Sequence, residues 1–240
     1  MNPENPAKVV AKRLANRALL AGWRWASRAG EIVPGTREAE RFGSFGRGSS
    51  LGFPAATLMG TRSIHLGEDV LVGRQASLSV GYGPTQADLP ERGLVIGDRT
   101  VLGARITIVA HVSIEIGDDV WFGQDVFVTD SGHGYQDPNL PIGEQFGAHL
   151  PVRIGSGSWI GHGAIILPGA TIGRNVVVAA GSVVRGEVAD HAVIGGAPAK
   201  VIRRYEPGVG WVGTRGDVRP VTSGHFGGLF DDPEDAPVTA

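Results

Sequence analysis

The chemistry open to this chain is bounded first by an absence. Its 240 residues contain no Cys. Thiolate nucleophiles, thiolate metal sites and a thioester on the enzyme are therefore excluded. Seven His remain as candidate proton carriers near neutral pH. His65 and His111 fall within or beside apolar runs, His162 lies two residues after Ile160, and His149 closes a polar stretch. His191 follows the last apolar run and His225 lies in the C-terminal tail. His133 differs in its surroundings. It stands between Gly132 and Gly134, where an apolar run gives way to a polar, Pro-bearing stretch. Glycine on both sides lets a substrate approach the backbone closely. A histidine so placed suits a general base that removes a proton from a hydroxyl or amine, a contribution commonly worth ~10²–10⁴-fold. No Ser is singled out by its context, so direct transfer between two bound substrates is favoured over a covalent enzyme intermediate.

The elements that must position such a base follow from a repeat. Ile154, Ile160, Ile166, Ile172, Val178 and Val184 are spaced by six, and four residues after each comes a small or β-branched residue, Ser158, Ala164, Ala170, Val176, Ser182 and Val188. The beat also runs through Leu66, Val72 and Leu78, through Ile96, Leu102, Ile108 and Ile114, and from Ile116 through Phe122 to Val128, two residues out of phase. Phe45 and Leu51 are weaker members upstream. A period of six fits neither an α-helix nor an ordinary strand. It fits a coil with three flat sides, one inward aliphatic per side, a small residue at each corner, and Gly such as Gly155, Gly161 and Gly173 giving freedom at the bend. The expected fold is all-β, a parallel β-helix of about five coils, roughly 25 Å long at ~4.8 Å per coil. Two insertions interrupt it, at 81–93 and 131–151, and both must leave the prism as loops; the second carries His133 and Tyr135.

The stretch "IGSGSWIGHGAIILPGATIGRNVVVAAGSVVRGEVADHAVIGGAPAKVIR", residues 154–203, resembles the C-terminal half of the hexapeptide-repeat acyltransferases, whose best-known branch is the galactoside, maltose and xenobiotic acetyltransferases. The resemblance covers roughly residues 64–204. It implies a left-handed solenoid, a homotrimer with active sites between adjacent prisms, and acyl transfer from acetyl-CoA with no metal required. "VTDSGHGYQDP", 128–138, resembles the family segment that carries the catalytic histidine, which assigns His133 that role. The resemblance gives that histidine a glutamate partner about a dozen residues on, for which Glu144 and Gln145 are rivals. It lines the coenzyme channel with Trp159 and Ala180 and sets Lys200 and Arg203 against the coenzyme's phosphates. Arg105 and His111, with Tyr135, are the acceptor-side candidates. Arg105 and His111 stand where the galactoside enzymes place Asn and an acidic residue, so they raise the expectation of an acidic or phosphorylated acceptor. O-acetylation of a sugar, glycoside or glycolipid leads; N-acylation of an amino sugar and a non-catalytic scaffold are the alternatives. The fold also serves the γ-type carbonic anhydrases, but His111, His133 and His149 lack the close paired spacing of that metal site.

Composition narrows the rest. The formal net charge is −2, with 22 Lys+Arg against 24 Asp+Glu, which is no electrostatic footprint for nucleic acid. Gly is 38 of 240, about 16% against a typical ~7%. The expected division is residues 1–41 as a helix and linker, 42–204 as the solenoid, and 205–240 as an irregular extension. In 7–29, Val10, Leu14, Ala18, Ala21 and Trp25 share one helical face, and Lys8, Lys12, Arg13, Arg17, Arg24 and Arg28 occupy the rest. That helix is expected to cap the open end of the solenoid, or else to lie on a membrane surface. The extension ends in Asp231, Asp232, Glu234 and Asp235, and its Trp211 and Phe226 are candidates for docking on the prism. The expected compartment is the cytoplasm.

Overall fold

A computed structural model describes residues 6–222. The first coil is β1 (Ser44–Phe45), β2 (Ser50–Leu51) and β3 (Thr57–Met59), and the second is β4 (Ile64–Leu66), β5 (Leu71–Val72) and β6 (Ser77–Val80). The third is β7 (Leu94–Ile96), β8 (Val101–Leu102) and β9 (Thr107–Ala110); the fourth is β10 (Ile114–Ile116), β11 (Trp121–Phe122) and β12 (Phe127–Thr129). The fifth is β13 (Val152–Ile154), β14 (Trp159–Ile160) and β15 (Ile165–Ile166), and the sixth is β16 (Thr171–Ile172), β17 (Val177–Val178) and β18 (Val183–Val184). A seventh coil has two sides, β19 (Glu187–Val188) and β20 (Ala192–Gly196). First strands stack on first strands, second on second and third on third, giving the three parallel faces of a prism. Register is one coil per step: Val128 lies beside Ile108 and Ile166. The expected five coils are thus six and a partial seventh, because the weak members at Phe45 and Leu51 do form a coil.

The core is the column of inward aliphatics. Ile160 and Ile166 are fully buried, and so are the residues four further on, Ala164 and Ala170. Ile114 and Ile116 share β10 and both point inward, so the two-residue phase shift is a longer corner before that strand and not a new side. The glycines just after the aliphatics serve a purpose other than the one expected. A Cβ on Gly155 would stand 2.5 Å from the backbone of Gly173 one coil on, and one on Gly161 would stand 2.6 Å from the backbone of Ala180. They allow coils to touch. The bend itself is two residues later, in left-handed backbone at Asp119, Asp125, Gly157, Gly163 and Asn175 (φ between 51° and 73°). Arg99 and Arg105 take that conformation too and pair with Asp119 and Asp125 of the next coil at 2.7 Å.

The ends depart from expectation. Helix α1 (Pro6–Ala29) does not cap the solenoid; nearly all its side chains are exposed, and only Val9, Ala26 and Ser27 are half-buried. The cap is the segment after it. Ile32 bridges Leu51 antiparallel, Ala39 and Phe42 are buried, and Phe42 meets Phe45 edge to face at 5.3 Å. Amphipathic spacing shows that a helix has an apolar side but not what that side meets. At the other end β21 (Ala199–Glu206) folds back antiparallel on β20, followed by β22 (Gly210–Gly213) and β23 (Val218–Arg219). The expected irregular extension is therefore ordered through Arg219, and the expected boundary at 204 falls inside β21. Alternating burial along β21 and the turn glycines Gly208 and Gly210 account for the hairpin. Trp211 packs on Tyr205, with ring centroids 5.7 Å apart, while Phe226, His225 and the acidic run lie outside the described residues. Replacing Ile160 with Ala should cost about 2–5 kcal/mol in chemical denaturation, from lost apolar burial and the cavity left behind. Thr171→Ser, on an exposed site, should stay within about 0.5 kcal/mol.

Candidate active site

The touching coils leave no room for extra residues within a face, so insertions leave at corners. Both long insertions follow a third strand, 81–93 after β6 and 131–151 after β12. Between them, after β9, lies the lengthened corner His111–Ser113: Ile96 to Ile116 takes 20 positions where Ile154 to Ile172 takes 18. Three successive exits therefore stack along one edge of the prism.

Asp130 pins them together. It directly follows β12, and its carboxylate is fully buried. The backbone N–H groups of His111 and Val112 donate to it at 2.8 Å and that of Ser113 at 2.9 Å. Its carbonyl accepts the N–H of Leu150 at 2.8 Å, which fastens the return of the second loop. Three donors compensate a buried charge that would otherwise be costly. The imidazole of His111 lies against this carboxylate, Nδ1 to Oδ1 3.6 Å. It stacks on His149 (5.2 Å, 14°) and meets Tyr82 at 4.3 Å. Tyr82 and His149, one from each loop, share a hydrogen bond between hydroxyl and Nε2. Burial pushes the His111 pKa below its ordinary value, more than the nearby Asp130 raises it, with His149 adding to the lowering.

These groups wall a cleft of about 570 Å³. Tyr82, Phe127, Phe146, Val109 and Leu167 supply apolar surface; His111, His133, His149, Thr129 and Ser131 supply polar groups. No Asp, Glu, Lys or Arg lines it. His133 reaches the cleft from an exposed position. Its backbone is held by a bridge to Phe146, with the N–H of Gly134 donating to Gln145 O at 2.9 Å and that of Gly147 to Gly132 O at 3.1 Å. A Cβ on Gly147 would stand 2.4 Å from Gly132 O, so glycine is required where the loop's two limbs cross.

His111 and His133 thus come together, as their assignment to one site needs. Other expected residues do not join them. Tyr135 is 77% exposed and outside the cleft. Glu144 ends a short 3-10 turn, exposed, and makes no hydrogen bond to His133 among the described residues. Gln145 is occupied in folding the loop: its side chain donates to Asp137 O at 2.8 Å and Leu140 O at 3.0 Å. Neither rival orients His133 within one chain. Arg105 lies at the corner after a second strand, not a third, and is bound to Asp125 and Gln124. It is therefore on a different edge from His111, and the expected pair for an anionic acceptor is not formed. Trp159 is half-exposed on the second face beside Trp121, its register partner, and the two border a hollow of about 580 Å³. Ala180 is exposed at the corner beyond β17, and Lys200 is exposed on β21. Arg203 points inward, bound to the Asp217 carboxylate, whose pKa it lowers, and to Trp211 O. Arg204, exposed on the same strand as Lys200, makes no ion pair among the described residues. No group of three His, Cys, Asp or Glu among the described residues is placed to hold a metal.

Residue type and immediate neighbours alone do not single out Tyr82, His149, Asp130 or Trp121. The hexad count held the signal for the first two: each insertion begins after the third member of a triplet (Leu66, Val72, Leu78; Ile116, Phe122, Val128), which puts both on one edge.

Residues 151–186 match the profile of the bacterial transferase hexapeptide (six repeats), and residues 93–129 that of the hexapeptide repeat of succinyl-transferase. A Mycobacterium tuberculosis protein named Probable acetyltransferase is 42% identical over 116 residues, 48% of this chain and 39% of its own length. The Escherichia coli galactoside O-acetyltransferase is 35% identical over 108 residues, 45% of this chain and 52% of its own. This chain thus spans less than two thirds of those relatives. Among solved structures, a point mutant of the Bacillus cereus N-acyltransferase AntD, in complex with dTDP and coenzyme A, superposes with a TM-score of 0.58 over 71% of this chain and 90% of its own, at 20% identity. That likeness is one of fold. Hexapeptide-repeat profiles thus match two stretches of this chain, residues 93–129 and 151–186.

Two outcomes follow from the edge cluster. Asp130→Asn trades an acceptor for a donor against three N–H groups and should destabilise the fold by about 1–3 kcal/mol in urea unfolding. The folded state holds the His111 pKa below that of the unfolded chain, so it binds fewer protons. Its stability is full above the ordinary imidazole value of ~6.5 and is lost as pH falls below it. In His111→Gln, the slope of unfolding free energy between about pH 7 and pH 5 should flatten; an unchanged slope would place that proton linkage elsewhere.

Proposed function

We propose that this chain, built on transferase hexapeptide repeats, is an acyl-coenzyme A-dependent acyltransferase that moves acetyl to a hydroxyl of a sugar, glycoside or glycolipid. The observation that carries the reading is His133, flanked by glycine, at a cleft walled by aromatic rings and free of charged side chains. Such a cleft suits a neutral ring with one apolar face and several hydroxyls. Lacking Arg105, it gives no support to an acidic or phosphorylated acceptor.

In this reading His133 removes the acceptor's proton as its oxygen attacks the thioester carbonyl. The C–O bond forms, the C–S bond breaks, and the proton passes from the imidazole to the departing sulfur. The donor lies along Trp159 and Ala180, with Lys200 and Arg204 at its phosphates, the latter in place of Arg203. These residues and His133 sit on different faces of one prism, which supports a site completed between copies. An outward row on the second face, Leu71, Val101, Trp121, Trp159 and Val177, gives a second copy apolar surface to cover and supports the homotrimer. The partner prism is then the source of whatever group orients His133. A coenzyme A donor fits a cytoplasmic enzyme.

Thiol release from acetyl-CoA, followed across a panel of sugars and amino sugars, tests the reading. His133→Ala should lower kcat by ~10²–10⁴-fold while acetyl-CoA binding is retained. An unchanged rate removes His133 as base. No thiol release with any acceptor, together with no binding of coenzyme A, leaves the solenoid a scaffold.

A further inference from the structure

We infer that α1 is a docking element for an anionic lipid surface. Between Pro6 and Ala29 there are six cations, Lys8, Lys12, Arg13, Arg17, Arg24 and Arg28, and not one Asp or Glu. Arg13, Arg17, Arg24 and Arg28, at spacings of four, seven and four, fall on one stripe at 100° per residue. Like charges four apart repel along an isolated helix. Nothing on the helix offsets them, so the counter-charge has to come from outside it.

The apolar side chains of the same helix are also without cover. Leu14, Leu19 and Trp25 are 60%, 72% and 73% exposed, and Trp23 is half-exposed. Val10, Leu14, Ala21 and Trp25 form a second stripe beside the arginines, at the same spacings of four, seven and four. The solenoid's end is already closed by Ile32, Ala39 and Phe42, so that end does not call for this helix. It is not apolar enough to cross a membrane. Tryptophan, leucine and arginine on a projecting helix instead match the layered chemistry of a bilayer interface, with rings and aliphatics at the acyl boundary and guanidinium groups among anionic headgroups.

Docking stands independently of acyl transfer. The full chain is sedimented with vesicles of phosphatidylcholine alone and of phosphatidylcholine with phosphatidylglycerol, and Trp emission is read with and without brominated acyl chains. The expected result is binding to the anionic vesicles at least about tenfold tighter, weakened by salt, with Trp quenching by bromine. Arg17→Glu/Arg24→Glu should lose about tenfold of that affinity, and Trp25→Ala should lower both affinity and quenching, with thiol release on a soluble acceptor unchanged. Equal binding to both vesicles, or binding unaffected by Arg17→Glu/Arg24→Glu, overturns the inference. So does the absence of bromine quenching together with a change of oligomeric mass in the variant, which assigns the helix to a second copy.

Discussion

Successive coils of this prism stack at backbone contact, and the rest of the structure follows from that spacing. A methyl group on Gly155 or Gly161 would collide with the coil beside it. No face can therefore accept an extra residue, and every departure from the beat of six is expelled at a corner. Because both long insertions follow a third strand, they emerge on the same edge. The site is a consequence of counting: 81–93, 111–113 and 131–151 meet because the coils between them have whole numbers of sides.

The meeting is held by one buried carboxylate. Asp130 collects three N–H groups of the 111–113 corner and, through its carbonyl, the end of the second loop. A charge in this position costs little because each donor it takes would itself be unsatisfied without it. It leaves His111 beside a carboxylate, yet buried enough that its pKa is lowered, and it places His133, three residues on, at the cleft mouth. The stacked imidazoles and the Tyr82–His149 hydrogen bond then tie together two loops 67 residues apart in sequence.

Much of this was legible in the sequence. Six unbroken hexads from Ile154 define the solenoid, and glycine on both sides of His133 marks a backbone open to approach. What was not legible depended on which edge a residue leaves from. Arg105 and His111 are six residues apart and look like partners, but six residues is one side of the prism, and they end on different edges. Glu144 is at a plausible distance along the chain, but the loop's own folding through Gln145 turns it outward. Helix α1 shows the limit of amphipathicity, which names an apolar face without naming what covers it. Glycine after each aliphatic suggests a hinge, whereas the hinge is two positions on and the glycine is there for clearance.

The central claim, which rests on the proposed function, is that acyl passes from coenzyme A to the acceptor at the edge cluster, with His133 as base. The most direct measurement is a crystal structure with acetyl-CoA or coenzyme A bound. The account predicts the sulfur within about 4 Å of the His133 ring, close to attack distance, with the pantetheine running past Trp159 and Ala180 between two prisms. Coenzyme bound on a face or edge remote from His133, with the cleft of Tyr82, His111 and His149 empty, would contradict it.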